Sequence, residues 1–142
     1  MANTSTPRLV EFVGEQEEIA PKVTASVTYY KGTILVNTSG YATKPTDAAG
    51  LYILGIVTGF YQDGIRDDAY AVGTTQVRAT LKRGKAWLPF SGAAQTDVGL
   101  IFYPADDQTL TKTAGSKTIG YPALDFKTGF LLFDIRVPGK TA

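Results

Sequence analysis

Two pairs of adjacent carboxylates, Asp67-Asp68 and Asp106-Asp107, are the first residues in this chain that could do chemistry. A general acid–base pair needs two carboxyls at a defined separation in different environments. Sequence neighbours on a polar loop share one solvent. Asp106-Asp107, between Pro104-Ala105 and Gln108-Thr109, reads as a turn between strands. No Asp-x-Asp-x-Asp calcium loop accompanies either pair. The 142 residues include no His and no Cys, which excludes Ser-His-Asp triads, thiolate nucleophiles, thiolate metal sites and disulfides. The serines (Ser5, Ser26, Ser39, Ser91 and Ser116) lie in neither a Gly-x-Ser-x-Gly nor a Ser-x-x-Lys context. Gly55 and Gly59 do not open a phosphate loop. The expectation is a protein that is not an enzyme, with no metal and no cofactor.

Binding chemistry is better represented. Arg78, Lys82, Arg83 and Lys85 with Trp87 interleave basic groups with an aromatic, as single-strand nucleic-acid binders do. However, Arg78 and Lys82 fall on the polar face of an alternating strand, Lys82-Arg-Gly84 looks like its turn, and the net charge is only +1. A solvated face is the simpler reading, without nucleic acid as a partner. Eight Tyr, seven Phe and one Trp exceed what a core of this size needs. Tyr61 and Tyr70, at strand ends or in loops, and Trp87 are candidate interface contacts.

Charge divides the chain. Residues 1–21 carry one Arg against four Glu, a net of −3, and the remainder has a net of +4. Pro21 is a natural boundary, so the expected organisation is an extended arm over 1–21 and a body over 22–142. In the arm, Leu9, Val10, Phe12 and Val13 form an apolar stretch too short to make a core. They must pack on the body, on something else, or stay disordered. The polar start shows no targeting segment, and no apolar run approaches the length of a membrane span.

The body is expected to be all-β, a sandwich or small barrel. Lys22–Tyr29 alternates, with Val23, Ala25, Val27 and Tyr29 on one face. Thr33–Val36 follows a Lys-Gly turn. Leu51–Val57 is an apolar run broken at Gly55, as at a bulge or a close backbone approach. Thr75–Lys82 alternates, and Lys85–Phe90 ends near Pro89, suggesting an edge. Val98–Tyr103, Lys117–Tyr121 and Gly129–Val137 complete the strands, the last with Leu131, Phe133, Ile135 and Val137 on one face. Only Pro45–Ala49 and Gly92–Thr96 could make a helical turn. A near-repeat aligns Gly32–Val36 with Gly99–Tyr103, Tyr41–Lys44 with Thr109–Lys112, Ala49-Gly50 with Ala114-Gly115 and Leu54–Ile56 with Ile119–Tyr121. That pattern fits two pseudo-repeated hairpin units.

The ordered motifs resemble the capsid cement, or head decoration, proteins of tailed bacteriophages. The pieces are Lys31-Gly-Thr-Ile-Leu-Val36, Gly40-Tyr-Ala42, Gly55-Ile-Val57, Val77–Gly84, Val98-Gly-Leu-Ile-Phe-Tyr103, Asp106–Thr111, Ile119-Gly120 and Phe133–Val137. The likeness spans about residues 22–137. It departs from the family at Val57, where Ala is more usual, in a longer stretch over 58–68, and in a more developed acidic arm. The resemblance implies a β-tulip-like β-barrel or β-sandwich. It also implies a non-catalytic role on the outer capsid surface, after manufacture in a host cytoplasm. The implied partner is the major capsid protein, engaged by homotrimers at three-fold and quasi-three-fold positions, with no membrane.

Three other readings compete. A head-fibre base or tail adhesin domain would bind a glycan or receptor through Tyr61, Tyr70 and Trp87. The others are a β-clip enzyme or sugar-acid-binding domain, and a nucleic-acid-binding barrel.

Overall fold

The computed structural model describes residues 7–46, 51–74, 76–115, 119–136 and 140–141. The expected contributions of Ala49-Gly50, Thr75, Lys117 and Val137 lie outside the described residues. The strands, in chain order, are β1 (Glu11–Ile19), β2 (Thr28–Tyr30), β3 (Ile34–Thr38), β4 (Tyr41–Thr43), β5 (Ile53–Gln62), β6 (Ile65–Asp67) and β7 (Tyr70–Val72). They continue with β8 (Arg78–Pro89), β9 (Ile101–Pro104), β10 (Leu110–Thr111), β11 (Ile119–Pro122), β12 (Asp125–Lys127), β13 (Phe130–Asp134) and β14 (Lys140–Thr141). The one helical turn among the described residues is a 3-10 turn at Gln95–Asp97.

The domain is all-β and multi-sheet, in keeping with a sandwich. Its main sheet runs β12-β13-β8-β5-β3-β4, with β1 added to β8 and β6 to β5. A second sheet runs β10-β9-β11-β14, and β2 pairs with β7 in a third. The expected alternative of a barrel is not met, because no pairing among the described residues joins β12 to β4 and closes the main sheet.

Two cores lie on opposite faces of the central strands. Ile34, Val36, Ile53 and Ile56 face one, with Leu88, Phe102, Leu131 and Phe133. Leu35, Leu54 and Val57 face the other, with Tyr29, Phe60, Ala79 and Leu81. Successive strand side chains point to opposite faces, so a strand buried on both must be apolar at every position. That is why Ile34–Val36 and Ile53–Val57 are unbroken apolar runs. Gly55 sits where the backbones crowd. A Cβ there would lie 2.8 Å from the Lys82 carbonyl oxygen and 2.9 Å from the Leu81 Cβ.

β8 corrects two expectations. The turn foreseen at Lys82-Arg-Gly84 does not exist, and one 12-residue strand runs through it. Ala79 and Leu81 enter one core, whereas Ala86 and Leu88 enter the other. The apolar phase therefore flips from odd to even positions across Lys82–Lys85, and a phase flip imitates a turn in sequence. Nor is Lys85–Pro89 an edge. β1 and β13 flank it at Lys85 and Trp87, and Pro89 is tolerated as the strand's last residue.

The strand foreseen over Lys22–Tyr29 is also broken. Val23 and Tyr29 are buried but Ala25 is exposed, and Ser26 adopts φ 64° in a turn. The Ser26 amide donates to the Gly73 carbonyl at 2.9 Å, a long-range bond that outweighs the local alternation.

Residues 11–19 are extended and pair antiparallel with β8 of the same chain, with a register shift between Val13 and Glu17. Glu17 faces Arg83 and Glu18 faces Lys82 across the ladder. The acidic arm thus lies along the basic stripe of Lys82, Arg83 and Lys85, and opposite charges face each other across the strands. Ahead of β1, the Arg8 amide donates to the Lys31 carbonyl at 2.9 Å. The guanidinium donates from Nε to the Gly32 carbonyl at 2.6 Å and from Nη1 to the Gln108 carbonyl at 2.9 Å. Burial lowers its pKa, and the charges of Asp107 and Asp106 work against that shift. Asp106-Asp107 is the expected turn: the Asp106 carboxylate accepts from the Gln108 and Thr109 amides, each at 2.9 Å. Both carboxylates are nonetheless buried.

Candidate contact surface

The far end of β5 builds an open, largely apolar surface. Asp63 and Gly64, at φ 51° and 80°, form the two-residue turn joining β5 to β6. Positive φ at both positions matches the right-handed twist of the flanking strands and suits Asp-Gly. The Asp67 carboxylate then accepts from the Ala69 amide at 2.8 Å and the Tyr70 amide at 3.2 Å, turning the chain into β7. The Tyr70 ring lies 6.0 Å from Tyr30 on β2. Arg66 is held between the Tyr61 ring, 5.2 Å away, and Asp68, with which it forms an ion pair. Hydrogen bonds to Tyr61 and then to Asp68 raise the Arg66 pKa.

These elements enclose a groove of about 540 Å³ lined by Tyr61, Asp63, Ile65, Asp67, Tyr70 and Val72, among others. Ile65 is 74% exposed and Val72 52%, with Tyr70 at 50% and Tyr61 at 40%. Monomeric proteins rarely leave such side chains together in water without a partner. Asp63 and Asp67 supply rim carboxylates, and among the described residues no Lys or Arg lines the groove.

The structure brings Tyr61 and Tyr70 together and leaves the other sequence candidates elsewhere. Trp87, half-buried on β8, is capped by the Lys127 ammonium at 4.6 Å, which also bonds Glu11 at 2.7 Å. In the arm, Val10 and Phe12 pack on the chain's own first core, Leu9 is 89% exposed and Val13 is 37% exposed. A smaller cavity of about 250 Å³ lies beside Arg8, Leu9, Val10 and Phe12. Sequence reasoning missed Ile65 and Val72. The Asp63-Gly64 dipeptide between Tyr61-Gln62 and Ile65-Arg66 was the signal that would have placed them on a hairpin. It also missed Arg8, whose carbonyl acceptor at Gln108 is 100 positions away.

No group of three or more Asp and Glu residues able to hold a metal ion occurs among the described residues. Nor is any described helix long and apolar enough to cross a membrane. No protein family, curated protein or solved structure matches the chain.

Proposed function

We propose that this protein is a structural virion component that binds the outer surface of a tailed-phage capsid and stabilises it. In this reading it acts as homotrimers at three-fold and quasi-three-fold positions, with the major capsid protein as partner. It is made in the host cytoplasm and has no catalytic role. The observation that carries the proposal is the exposed cluster of Tyr61, Ile65, Tyr70 and Val72 around one groove, set on a body with two buried apolar cores. A clamp needs a rigid body and contact surface, and repeated weak contacts become strong when linked protomers engage together. The motif order shared with cement proteins supports the same reading. So do the matching orders β4-β3-β5 and β10-β9-β11, each entered through a glycine at positive φ, Gly32 at 82° and Gly99 at 88°. We read these as the two pseudo-repeated units of a β-tulip-like architecture.

The test is to mix the purified protein with expanded, undecorated heads, pellet them and map the particles by electron microscopy. Density at three-fold positions is expected. Density only on two-fold axes would overturn the trimer, and no co-sedimentation would overturn the capsid role. One observation favours a second reading, a tail adhesin or head-fibre base that binds a glycan. Tyr61 and Tyr70 share the groove with Gln62 and Asp63, pairing aromatic faces with hydroxyl acceptors. Density at the tail, in the same mapping of intact tailed particles, would select it.

A further inference from the structure

One edge of β7 is unoccupied by any strand among the described residues, because β7 pairs only with β2. The hydrogen-bond pattern identifies the groups on that edge. The Lys31 amide donates to the Ala69 carbonyl at 2.8 Å, and the Gly73 amide donates to the Val27 carbonyl at 2.7 Å. Antiparallel pairs alternate between bonded and non-bonded, so Ala71 with Tyr29 is bonded and the Tyr70 and Val72 pairs are not. The backbone groups of Tyr70 and Val72 therefore point away from β2. The Tyr70 amide is taken by Asp67 at 3.2 Å. That leaves the Tyr70 carbonyl with the Val72 amide and carbonyl, at the spacing an incoming strand requires.

The same residues line the groove whose other wall carries the exposed Ile65 and Tyr61. Its charged lining groups are Asp63 and Asp67, and the nearest arginine, Arg66, is already paired with Asp68. We infer that the β7 edge is a receptor for an extended segment of a partner protein. The segment's backbone would continue the β2–β7 sheet, its alternate apolar side chains would fill the groove, and its Lys or Arg residues would meet Asp63 and Asp67. Backbone bonds would supply affinity, and the pocket and rim charges would supply selectivity. This inference rests on reading the groove as a contact surface. It does not depend on the partner being a capsid.

The test uses the full chain, isotopically labelled, with two synthetic peptides and, as a glycan probe, chitotriose. One is the capped peptide Lys-Val-Thr-Ile-Lys-Val-Thr, and the other replaces each Lys by Glu. The Lys peptide is expected to shift resonances of Ile65–Asp67 and Tyr70–Val72. It should also slow exchange of the Val72 amide by about tenfold or more, as a new hydrogen bond would. The Glu peptide should bind several-fold more weakly, and Asp63→Asn, which keeps a residue tolerant of positive φ, should narrow that difference. Val72→Pro removes an amide that β2 does not use, and should abolish the Lys peptide's effect. Any of three results overturns the inference: no groove shifts at millimolar peptide, equal binding of the two peptides, or shifts with chitotriose alone. The peptide comparison stands even if the proline variant fails to fold. Head co-sedimentation of the same variants is scored separately, so peptide binding without head binding removes the capsid reading and leaves the edge.

Discussion

Replacing Arg8 by Ala should uncouple the arm's entry from the body at a cost that the structure allows one to work out. The Arg8 amide bond to Lys31 survives the change, but the guanidinium bonds to the Gly32 and Gln108 carbonyls, at 2.6 and 2.9 Å, are lost. A hydrogen bond to a charged group contributes about 1.5–3 kcal/mol. Two features offset part of that loss. Lys44 Nζ stays 3.8 Å from the Asp107 carboxylate, and the guanidinium lowers its own net contribution by being taken out of water. The expected loss is about 2–4 kcal/mol. With a urea dependence of about 2 kcal/mol/M, the unfolding midpoint should fall by about 1–2 M at unchanged slope. Arg8→Lys keeps the charge but not the fork, and should recover about half of the loss. Leu9→Ala, one residue on and 89% exposed, should change stability by less than about 0.5 kcal/mol. An Arg8→Ala loss below about 1 kcal/mol would refute the reasoning, because the guanidinium would then exchange its carbonyls for water at no cost.

Four further outcomes are expected. Burial pushes the Tyr121 phenol to about 12, so stability is full below about pH 10, where the unfolded phenol ionises, and declines between there and about 12. Tyr121→Phe should flatten that alkaline decline and cost about 1 kcal/mol at pH 7, since the Ile53 amide loses its acceptor at 2.8 Å; urea titrations at pH 7 and 11 measure both. Asp97 and Asp134 are held below the usual carboxylate range, chiefly by hydrogen bonds from Lys112 and Arg136 respectively. Their contributions are therefore complete above about pH 5 and lost as pH falls through the lowered pKa values, so Asp97→Asn and Asp134→Asn should each reduce the stability lost between pH 5 and 3. Gly55→Ala drives a Cβ to 2.8 Å from the Lys82 carbonyl oxygen and should destabilise by about 1–3 kcal/mol in thermal unfolding. Deleting residues 1–21 bares the β8 edge from Leu81 to Trp87 and should lower both the melting temperature and the concentration at which light scattering detects association.

Composition and pattern alone were enough to establish that this is a β protein without histidine or thiol chemistry, because both conclusions follow from residue types and their period-two spacing. The sequence also located the glycine at a crowded backbone position, because a Gly that breaks an apolar run marks such a place whatever crowds it, and the Asp106-Asp107 turn, which depends on near neighbours in the chain. The tertiary structure decided what depends on distant partners. Alternation reports which face of a strand is apolar, but not that β8 buries one face in each of two cores, and the flip was therefore misread as a turn. The Lys22–Tyr29 strand failed for the same reason, because Gly73 offers the Ser26 amide a better partner than any local register. The acidic arm and the basic stripe were both visible in the sequence, yet only the β1–β8 ladder sets Glu17 against Arg83 and Glu18 against Lys82. The groove needed the fold as well. Tyr61, Ile65, Tyr70 and Val72 lie on three strands of two sheets, and the free β7 edge is a property of pairing, which no residue carries by itself.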